Sequence, residues 1–175
     1  MYGNADLDKE LAFINEQYLA AYEKSDAEVS FALQEPFDQM KKVTEYYPIS
    51  EGTDTTGQSY LSLSLVCGKN TDQKLRYALD ILSDVLINQE SAPVRLALQK
   101  AEIGRDVSAF IDPMKQMVFQ IRVQNADPAQ DEQFKSIVRN TLQQVVEEGV
   151  DSTAVRGTLN RLEFRKREGM TRKKV

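Results

Sequence analysis

The chemistry open to this chain is limited by a residue type that it lacks. None of its 175 residues is a histidine. This excludes Ser-His-Asp and Cys-His catalysis, imidazole general bases and histidine-containing zinc sites. The single cysteine, Cys67, rules out thiolate metal sites and an internal disulfide. Only carboxylates, lysines and tyrosines remain as conceivable catalytic groups.

Two groups of carboxylates have a spacing that a metal ion could use. Asp6 and Asp8 precede an apolar periodic stretch, where the N-terminus of a helix favours anions. Asp127, Asp131 and Glu132 lack the glycine and the closing glutamate of a calcium loop. We interpret both groups as helix caps, and Cys67 as a small buried strand residue. The sequence therefore assigns no catalytic, cofactor-binding or metal-ligating residue.

The charges are distributed unevenly. Of 22 basic residues, six lie in residues 165–174 beside a single acid, so the rest of the chain holds 16 basic and 26 acidic side chains. An acidic body argues against nucleic acid as a partner. The basic segment has no interleaved aromatic residues, which is typical of a solvated helix end. No apolar run approaches the roughly 18 residues of a membrane span, so no membrane partner is expected.

The elements that would position any site begin with residues 60–86. Leu61, Leu63, Leu65 and Cys67 alternate with polar or smaller residues, which predicts a strand with one buried face. Asp72 can start a helix, and apolar residues then recur at helical spacing, namely Leu75, Ala78, Leu79, Leu82 and Leu86. A strand followed at once by an amphipathic helix predicts a two-layer core.

The chain before this core is less regular. Residues 6–22 are predicted as a helix, and residues 24–37 as a polar linker or crossing loop. The segment KKVTEYY, residues 41–47, has strand propensity and ends at Pro48. Because a turn-rich connection then leads to the strand at Tyr60, we expect these two strands to pair antiparallel.

Further elements follow the first helix. Pro93 suits the first turn of a second helix, which Gly104 would end, and residues 105–113 are predicted as a loop. The segment 115–124 alternates Met117, Phe119, Ile121 and Val123 with mostly polar residues, which predicts a strand of the same sheet. The predicted fold is α+β, a two-layer structure with a mainly antiparallel sheet of three or more strands packed against several helices.

Two helices close the chain. The first has its apolar face at Phe134, Ile137, Val138, Leu142 and Val145, with Gly149 at the position after its end. Asp151 is expected to cap the last helix, which would bury Val155, Leu159 and Leu162.

Together, the order and spacing of these segments resemble a known family. The segments are YGNADLDKELAFINEQYL, EPF, VTEYYPISEGTDTTGQSYLSLSLVCG, SAPVRLALQKAEIGRDVSAF, KQMVFQIRV and VEEGVDSTAVRGTLNRLEFRKRE. They resemble the middle of the presequence-protease-like branch of the pitrilysin, or insulinase, family of zinc metallopeptidases. These enzymes have four similar α+β domains in two halves that close around a peptide. Their His-x-x-Glu-His motif lies in the first domain.

The resemblance implies a domain division and a role. Residues 1–35 would be the closing helix of the preceding catalytic domain plus a linker. Residues 36–175 would be a non-catalytic second pitrilysin-like domain, incomplete at its C-terminus. The parent would bind zinc and degrade short unstructured peptides, and this segment would form part of the wall of its substrate chamber. Without histidine the chain alone is expected to be inactive, and its partners would be the rest of the parent and, through the parent, peptides.

Other functions remain open at this stage. The family includes subunits that keep the fold without the zinc motif, so a scaffold or interaction subunit is the alternative. A third hypothesis is an independent peptide- or RNA-binding module that uses the basic segment. An exposed sheet edge would favour a homodimer of the chain. The single cysteine fits a reducing compartment, either the cytoplasm or, in a eukaryote, an organelle matrix.

Overall fold

The computed structural model describes residues 4–26 and 30–171, with the backbone alone at residues 170 and 171. It contains two compact units, Met1–Ala32 and Leu33–Val175, which are described separately below. Three of the basic residues near the C-terminus, Arg172, Lys173 and Lys174, lie outside the described residues.

The described residues of the first unit contain one helical segment. Helix α1 spans Leu7–Ile14 and continues as a π-helical turn over Asn15–Leu19. Asp6 caps α1, because its Oδ1 accepts hydrogen bonds from the backbone N–H groups of Asp8 and Lys9. The prediction of a helix here is confirmed, although the helix ends at Leu19 rather than at Tyr22.

The second unit is built on a three-stranded antiparallel sheet. Strand β1 spans Ser59–Lys69, β2 spans Asp106–Pro113 and β3 spans Gln116–Ala126, in the order β1-β3-β2. β2 and β3 form a hairpin, and β1 pairs with the other side of β3. Because β3 lies in the centre, β1 and β2 each have one edge that no strand of the described residues covers.

The helices of the second unit follow one another around this sheet. Helix α2 spans Gln73–Ser83 and continues as a π-helical turn over Asp84–Asn88, and α3 spans Pro93–Lys100. A short 3₁₀ turn leads into α4 at Asp131–Glu148, and α5 spans Ser152–Thr171. The sequence predicted these helix starts because their capping side chains are explicit: Asp72 accepts from Leu75 N, and Asp151 from Thr153 N.

The core lies between the sheet and the helices. Its most deeply buried side chains come from every layer, namely Ile87, Val94, Leu98, Ile103, Val107, Met117, Ile121, Val123, Phe134 and Val138. Alternate residues of β3 supply one side of this core, as the period-2 pattern predicted. The α+β, two-layer, antiparallel fold is confirmed. None of the described helices has the length and hydrophobicity to cross a membrane.

Two predictions about strands are wrong. Residues 41–47 form no strand, and β1 pairs with β3 instead of with that segment. Strand propensity is weak without a partner, so the tyrosines there do not determine the backbone conformation. Conversely, the predicted loop at 105–113 contains β2, where Val107 and Ala109 are buried at alternate positions. The alternation was not recognised in the sequence, because Ala109 is small and Asp106 and Asp112 interrupt the pattern.

The last helix also differs from the prediction in which face it buries. Leu159 is 46% exposed, whereas Thr158 is buried. The buried face of α5 runs through Ala154, Thr158 and Leu162 at spacings of four. Thr158 is accommodated because its hydroxyl accepts a hydrogen bond of 2.7 Å from Gln89 Nε2. In α2, Ala78 is likewise exposed, although the helical spacing placed it on the buried face.

Candidate interaction surface

The carboxylates that a metal could use are engaged in capping and ion pairs. Asp127 accepts a hydrogen bond of 2.8 Å from Ala129 N, and the Gln130 side chain accepts one from Asp127 N, so the two form a capping box. Asp131 lies 2.6 Å from Lys42 Nζ and 2.9 Å from Lys135 Nζ. Among the described residues, no three metal-ligating side chains lie together.

The environment of Asp131 shifts two pKa values. The hydrogen bond from Lys42 lowers the pKa of Asp131, and Lys135 adds to that effect against the opposing effect of burial. Hydrogen bonds to Glu132 and then Asp131 raise the pKa of Lys135. Both shifts favour the charged forms, so this cluster is an ion-pair network and not a pair of carboxylates prepared for acid–base chemistry.

Cys67 does not resemble a reactive thiol. It is partly buried near the end of β1, and its thiol donates to the carbonyl oxygen of Leu65 at 3.7 Å. Among the described residues, the hydrogen bond of this thiol is thus to a neutral backbone carbonyl.

Side chains from the helical layer bond several backbone groups on the outer edge of β2. Asn88 donates its Nδ2 to the carbonyl of Ala109 at 3.0 Å and accepts from Ala109 N at 2.8 Å, as a neighbouring strand would. Arg95 donates its Nη2 to the carbonyl of Val107 at 2.6 Å and its Nε to the carbonyl of Ile87. These side chains satisfy backbone groups that would otherwise recruit another chain.

The register of the sheet shows which groups of β1 point outward. The N–H and C=O of Ala109 point away from β3, so those of its partner Ile121 must point toward β1. Ile121 faces Leu63, whose backbone groups therefore bond β3. By alternation, the N–H and C=O groups of Ser62, Ser64 and Val66 point to the outer edge of β1.

This outer edge of β1 is open. In the described part of the chain, no hydrogen bond satisfies the outward groups of Ser62, Ser64 and Val66. All three residues are exposed, as is Leu65, and Leu65 and Val66 each retain 46% of their accessible surface. From Ser59 to Gly68 the strand carries no charge and no proline, the two features that commonly protect an edge. We call Ser62–Val66 the open edge.

The sheet face opposite the helices is mostly polar. The guanidinium of Arg122 lies 4.7 Å from the centroid of the Phe110 ring, and its Nη2 donates to Gln120 Oε1 at 3.3 Å. Ser62 and Ser64 lie on the same face of the neighbouring strand. We call this the outer face. Its half-exposed polar groups suit weak contacts with a ligand more than a deep binding site.

Segment 33–58 passes both ends of β1 without pairing to it. The Gln34 backbone and the Gln116 side chain exchange two hydrogen bonds near the end of β1. Tyr47 stacks edge-on against Tyr60 near its start, with ring centroids 5.7 Å apart. The salt bridge from Lys42 anchors the stretch between these contacts to α4. Side chains therefore hold the segment in place, and the open edge stays uncovered.

A cavity of about 270 Å³ lies among the helices. Apolar and polar groups share its lining, including Val85, Pro93, Gln144, Val145 and Glu148. The amide of Gln144 already donates to Glu148 at 2.9 Å. The lining contains no pair of oppositely charged side chains, so it does not indicate a particular ligand or reaction.

The first unit exposes most of its apolar side chains. Leu7, Leu11, Phe13, Tyr18 and Leu19 each retain between 58% and 61% of their accessible surface. Exposed apolar surface of this kind is typical of interaction surfaces.

The residues that decide the two edges were not identified from the sequence. Asn88 and Arg95 were not singled out, because neither belongs to a motif and their partners, Ala109 and Val107, lie in a strand that the sequence did not predict. A polar residue ending the apolar run Val85–Ile87 was the only available signal for Asn88.

Comparison with known proteins gives one family match and several relatives. The sequence model of the Peptidase M16 inactive domain matches residues 1–162. Protein HypA of Clostridium perfringens is 39% identical over 170 residues, which are 97% of this chain and 18% of that protein. The mitochondrial presequence protease of Xenopus tropicalis is 27% identical over 178 aligned positions, covering 97% of this chain and 17% of its own length.

A plant relative shows the same proportions. Presequence protease 1 of Arabidopsis thaliana, chloroplastic/mitochondrial, is 26% identical over 175 positions, or 97% of this chain and 16% of that protein. The chain thus spans less than a fifth of the length of these curated relatives.

Proposed function

Because this chain belongs to the M16 peptidase family, we propose that it is a non-catalytic segment of a zinc-dependent peptidase that degrades short unstructured peptides. In this proposal the segment forms part of the wall of the parent's substrate chamber. The observation that carries the proposal is the match of residues 1–162 to the inactive domain of the family, in a chain with no histidine.

The donor groups of the chain do not fit the family's zinc ion. Protein zinc sites use thiolate, imidazole and carboxylate ligands, and catalytic sites generally include imidazole. This chain offers no imidazole and one partly buried thiol. The carboxylates tested above serve as caps and ion-pair partners. Any zinc chemistry therefore belongs to other parts of the parent.

The outer face supports the chamber-wall role. It carries serine, glutamine and arginine side chains together with Val66, Val118 and Phe110, and no described helix covers it. Such a surface can contact many peptides through hydrogen bonds to their backbones.

The proposal includes the domain division that the sequence predicted. We propose that residues 1–35 close the preceding catalytic domain and link it to the second domain, residues 36–175. The exposed apolar side chains of α1 support this, because a preceding domain would cover them. The division of the structure between Ala32 and Leu33 lies close to this boundary. We further propose a reducing location, the cytoplasm or an organelle matrix, from the single cysteine.

Two measurements test the catalytic part of the proposal. The purified chain, supplied with zinc, should retain no stoichiometric metal after desalting and should not cleave an unstructured peptide. Tight zinc binding or turnover would contradict it. The parent reading frame should encode a His-x-x-Glu-His motif upstream of residue 1, whereas its absence would favour the alternative, a scaffold subunit of the same fold.

Site-specific photocrosslinking in the parent tests the chamber wall. A photoreactive residue in place of Gln120, on the outer face, should capture a labelled peptide substrate. The matched control replaces Arg139, which is exposed on α4 in the helical layer. Equal capture at both positions, or capture at position 139 alone, would contradict the chamber-wall assignment.

A further inference from the structure

We propose that Arg122, at the centre of the outer face, binds the C-terminal carboxylate of a peptide. The inference rests on the proposed function for the identity of the ligand, a short unstructured peptide. The place and the chemistry of the contact come from the sheet itself. Arg122 would add one cationic group to a surface whose other polar contacts with peptides are neutral hydrogen bonds.

The position of Arg122 in the sheet is decided within this chain. β3 is paired with β1 on one side and with β2 on the other, and Arg122 lies opposite Ser62 and Ser108. Any further strands of a longer sheet would pair beside β1 or β2. Arg122 would therefore keep a strand on each side of it, and its side chain would keep its present neighbours on the outer face.

Two neighbours hold the guanidinium of Arg122 in one orientation. It lies 4.7 Å from the centroid of the Phe110 ring, and its Nη2 donates to Gln120 Oε1 at 3.3 Å. An arginine that is already ordered loses less conformational entropy when it binds a ligand. Arg122 should therefore contribute more to affinity than an arginine that moves freely on the surface.

Among the described residues, no carboxylate forms a salt bridge with this guanidinium. Asp106, two residues from Ser108 on β2, lies 3.8 Å from Arg95 instead. The chain as a whole is acidic, with 27 acidic and 22 basic residues. A cation that lies between neutral side chains on one face of an acidic protein favours an anionic ligand at that place.

The groups around Arg122 suit a carboxylate in particular. A guanidinium can donate two parallel hydrogen bonds to the two oxygens of a carboxylate. Ser62 and Ser108 lie directly opposite Arg122, with Cα atoms about 4.5–5.5 Å from its own, and their hydroxyls can donate to the remaining lone pairs. Every unmodified peptide carries a C-terminal carboxylate, so a site for it fits a surface that contacts peptides of varied sequence.

A titration of the full 175-residue chain, followed by NMR, tests the contact. The probes are N-acetyl trialanine and its C-terminal amide, which differ only in the carboxylate. We expect the free acid to bind about threefold to tenfold more tightly than the amide, and Arg122→Gln to abolish this difference. Arg122→Lys keeps the charge without the planar fork, so it should retain only part of the difference.

The matched control for these variants is Arg139→Gln, on α4 in the helical layer. It removes the same charge from another surface and should leave the preference for the free acid unchanged. The amide spectrum of each variant verifies that it is folded.

A third probe identifies which carboxylate is bound. It is the trialanine amide with glutamate in place of the central alanine, so it carries a side-chain carboxylate and no terminal one. We expect it to bind several-fold more weakly than the free acid, because the longer glutamate side chain must lose more conformational entropy. Equal binding of the two would contradict a site for the terminal carboxylate.

The parent peptidase gives the second readout. With an unstructured peptide substrate and its C-terminal amide, Arg122→Gln should raise KM several-fold for the free acid alone. It should leave kcat unchanged for both, because a contact made equally in the ground state and the transition state affects KM. Arg139→Gln should change neither constant.

The proposal fails if the free acid and the amide bind the unmodified chain equally, or if Arg139→Gln removes their difference as Arg122→Gln does. It also fails if the chain prefers the free acid but KM in the parent does not respond, because a carboxylate of the parent would then occupy Arg122. A parent that cleaves neither peptide contradicts the proposed function alone, and the titration still decides whether Arg122 binds the carboxylate.

Discussion

The two edge strands of the sheet differ in whether their outward backbone groups are hydrogen-bonded. At the β2 edge, Asn88 and Arg95 bond backbone groups that a neighbouring strand would otherwise take. At the β1 edge, segment 33–58 passes both strand ends but supplies no hydrogen bond to Ser62, Ser64 or Val66 among the described residues. In this sheet, side chains from the helical layer bond the β2 edge. Segment 33–58 lies near the ends of β1 but does not bond its edge.

The difference also shows where the sheet can make contacts. We call the outer edge of β2, where Asn88 and Arg95 bond it, the sealed edge. It is joined to the core, because Arg95 is largely buried and bonds the carbonyls of both Ile87 and Val107. The open edge is exposed and uncharged. The following substitutions test this difference between the edges and the contacts around them, from the largest expected change in unfolding free energy to the smallest.

The largest effect is expected at Gly104, which leads from α3 into the sealed strand. Its φ is +64°, and an added Cβ would overlap the Val123 side chain and lie 2.6 Å from the Gln124 carbonyl oxygen. We expect Gly104→Ala to lower the free energy of unfolding by about 3 kcal/mol, from backbone strain and overpacking together. Urea denaturation measures it.

The matched control for that change is Gly52→Ala. Gly52 also has a positive φ, +79°, but nothing lies within 4 Å of its added Cβ. Only the backbone cost of about 1 kcal/mol should appear. Equal losses in the two variants would show that the contact of Gly104 with β3 has no energetic importance.

The next effect comes from opening the sealed edge. Asn88→Ala leaves the N–H and C=O of Ala109 without their side-chain partner, and we expect a loss of about 2 kcal/mol in unfolding free energy. The variant should also form larger species in sedimentation than the unmodified chain, because the N–H and C=O of Ala109 would be free to pair with another chain. Asn140→Ala, on the exposed face of α4, is the control and should do neither.

A smaller effect is expected from the anchor of segment 33–58. Lys42→Ala removes the partner that chiefly lowers the pKa of Asp131, and we expect a loss of about 0.5 kcal/mol at neutral pH, as for a largely exposed ion pair. Lys41→Ala, whose ammonium lies over the nearby Phe37 ring, leaves Asp131 paired and serves as control. A larger loss in Lys41→Ala would contradict the assignment of Lys42 as the anchor.

The same contact predicts a pH dependence. Because the folded-state pKa of Asp131 is below its ordinary value of 3.8, its contribution is present above that pH. It is lost as the pH falls from about 3.8 through the lower folded-state pKa. Stability measured across this range should fall less steeply in Asp131→Asn than in the unmodified chain.

The smallest effect is expected on the open edge itself. Ser64→Lys places a charge on an exposed position whose N–H and C=O have no hydrogen-bond partner among the described residues. Its unfolding free energy at low protein concentration should therefore change by less than about 0.5 kcal/mol. A large loss for the monomer would show that the edge is already engaged within the chain.

The sequence predicted those elements that carry their own local signals. β1 and β3 show clean alternation, and capping aspartates begin α2 and α5, so these elements were found with errors of a residue or two. β2 was missed because Ala109 is small and Asp106 and Asp112 interrupt the pattern. The segment 41–47 was predicted as a strand because propensity cannot reveal whether a partner is present.

What the sequence determined by itself was the class of the fold, the family and the absence of imidazole chemistry. These depend on residue types and their spacing, which folding does not change. Only the tertiary structure decided that β3 is the central strand, that Asn88 and Arg95 bond outward groups of β2, and that those of β1 have no partner among the described residues. The reason is physical: a backbone group is satisfied or left free according to what the folded chain brings within about 3 Å of it, and that depends on residues distant in sequence.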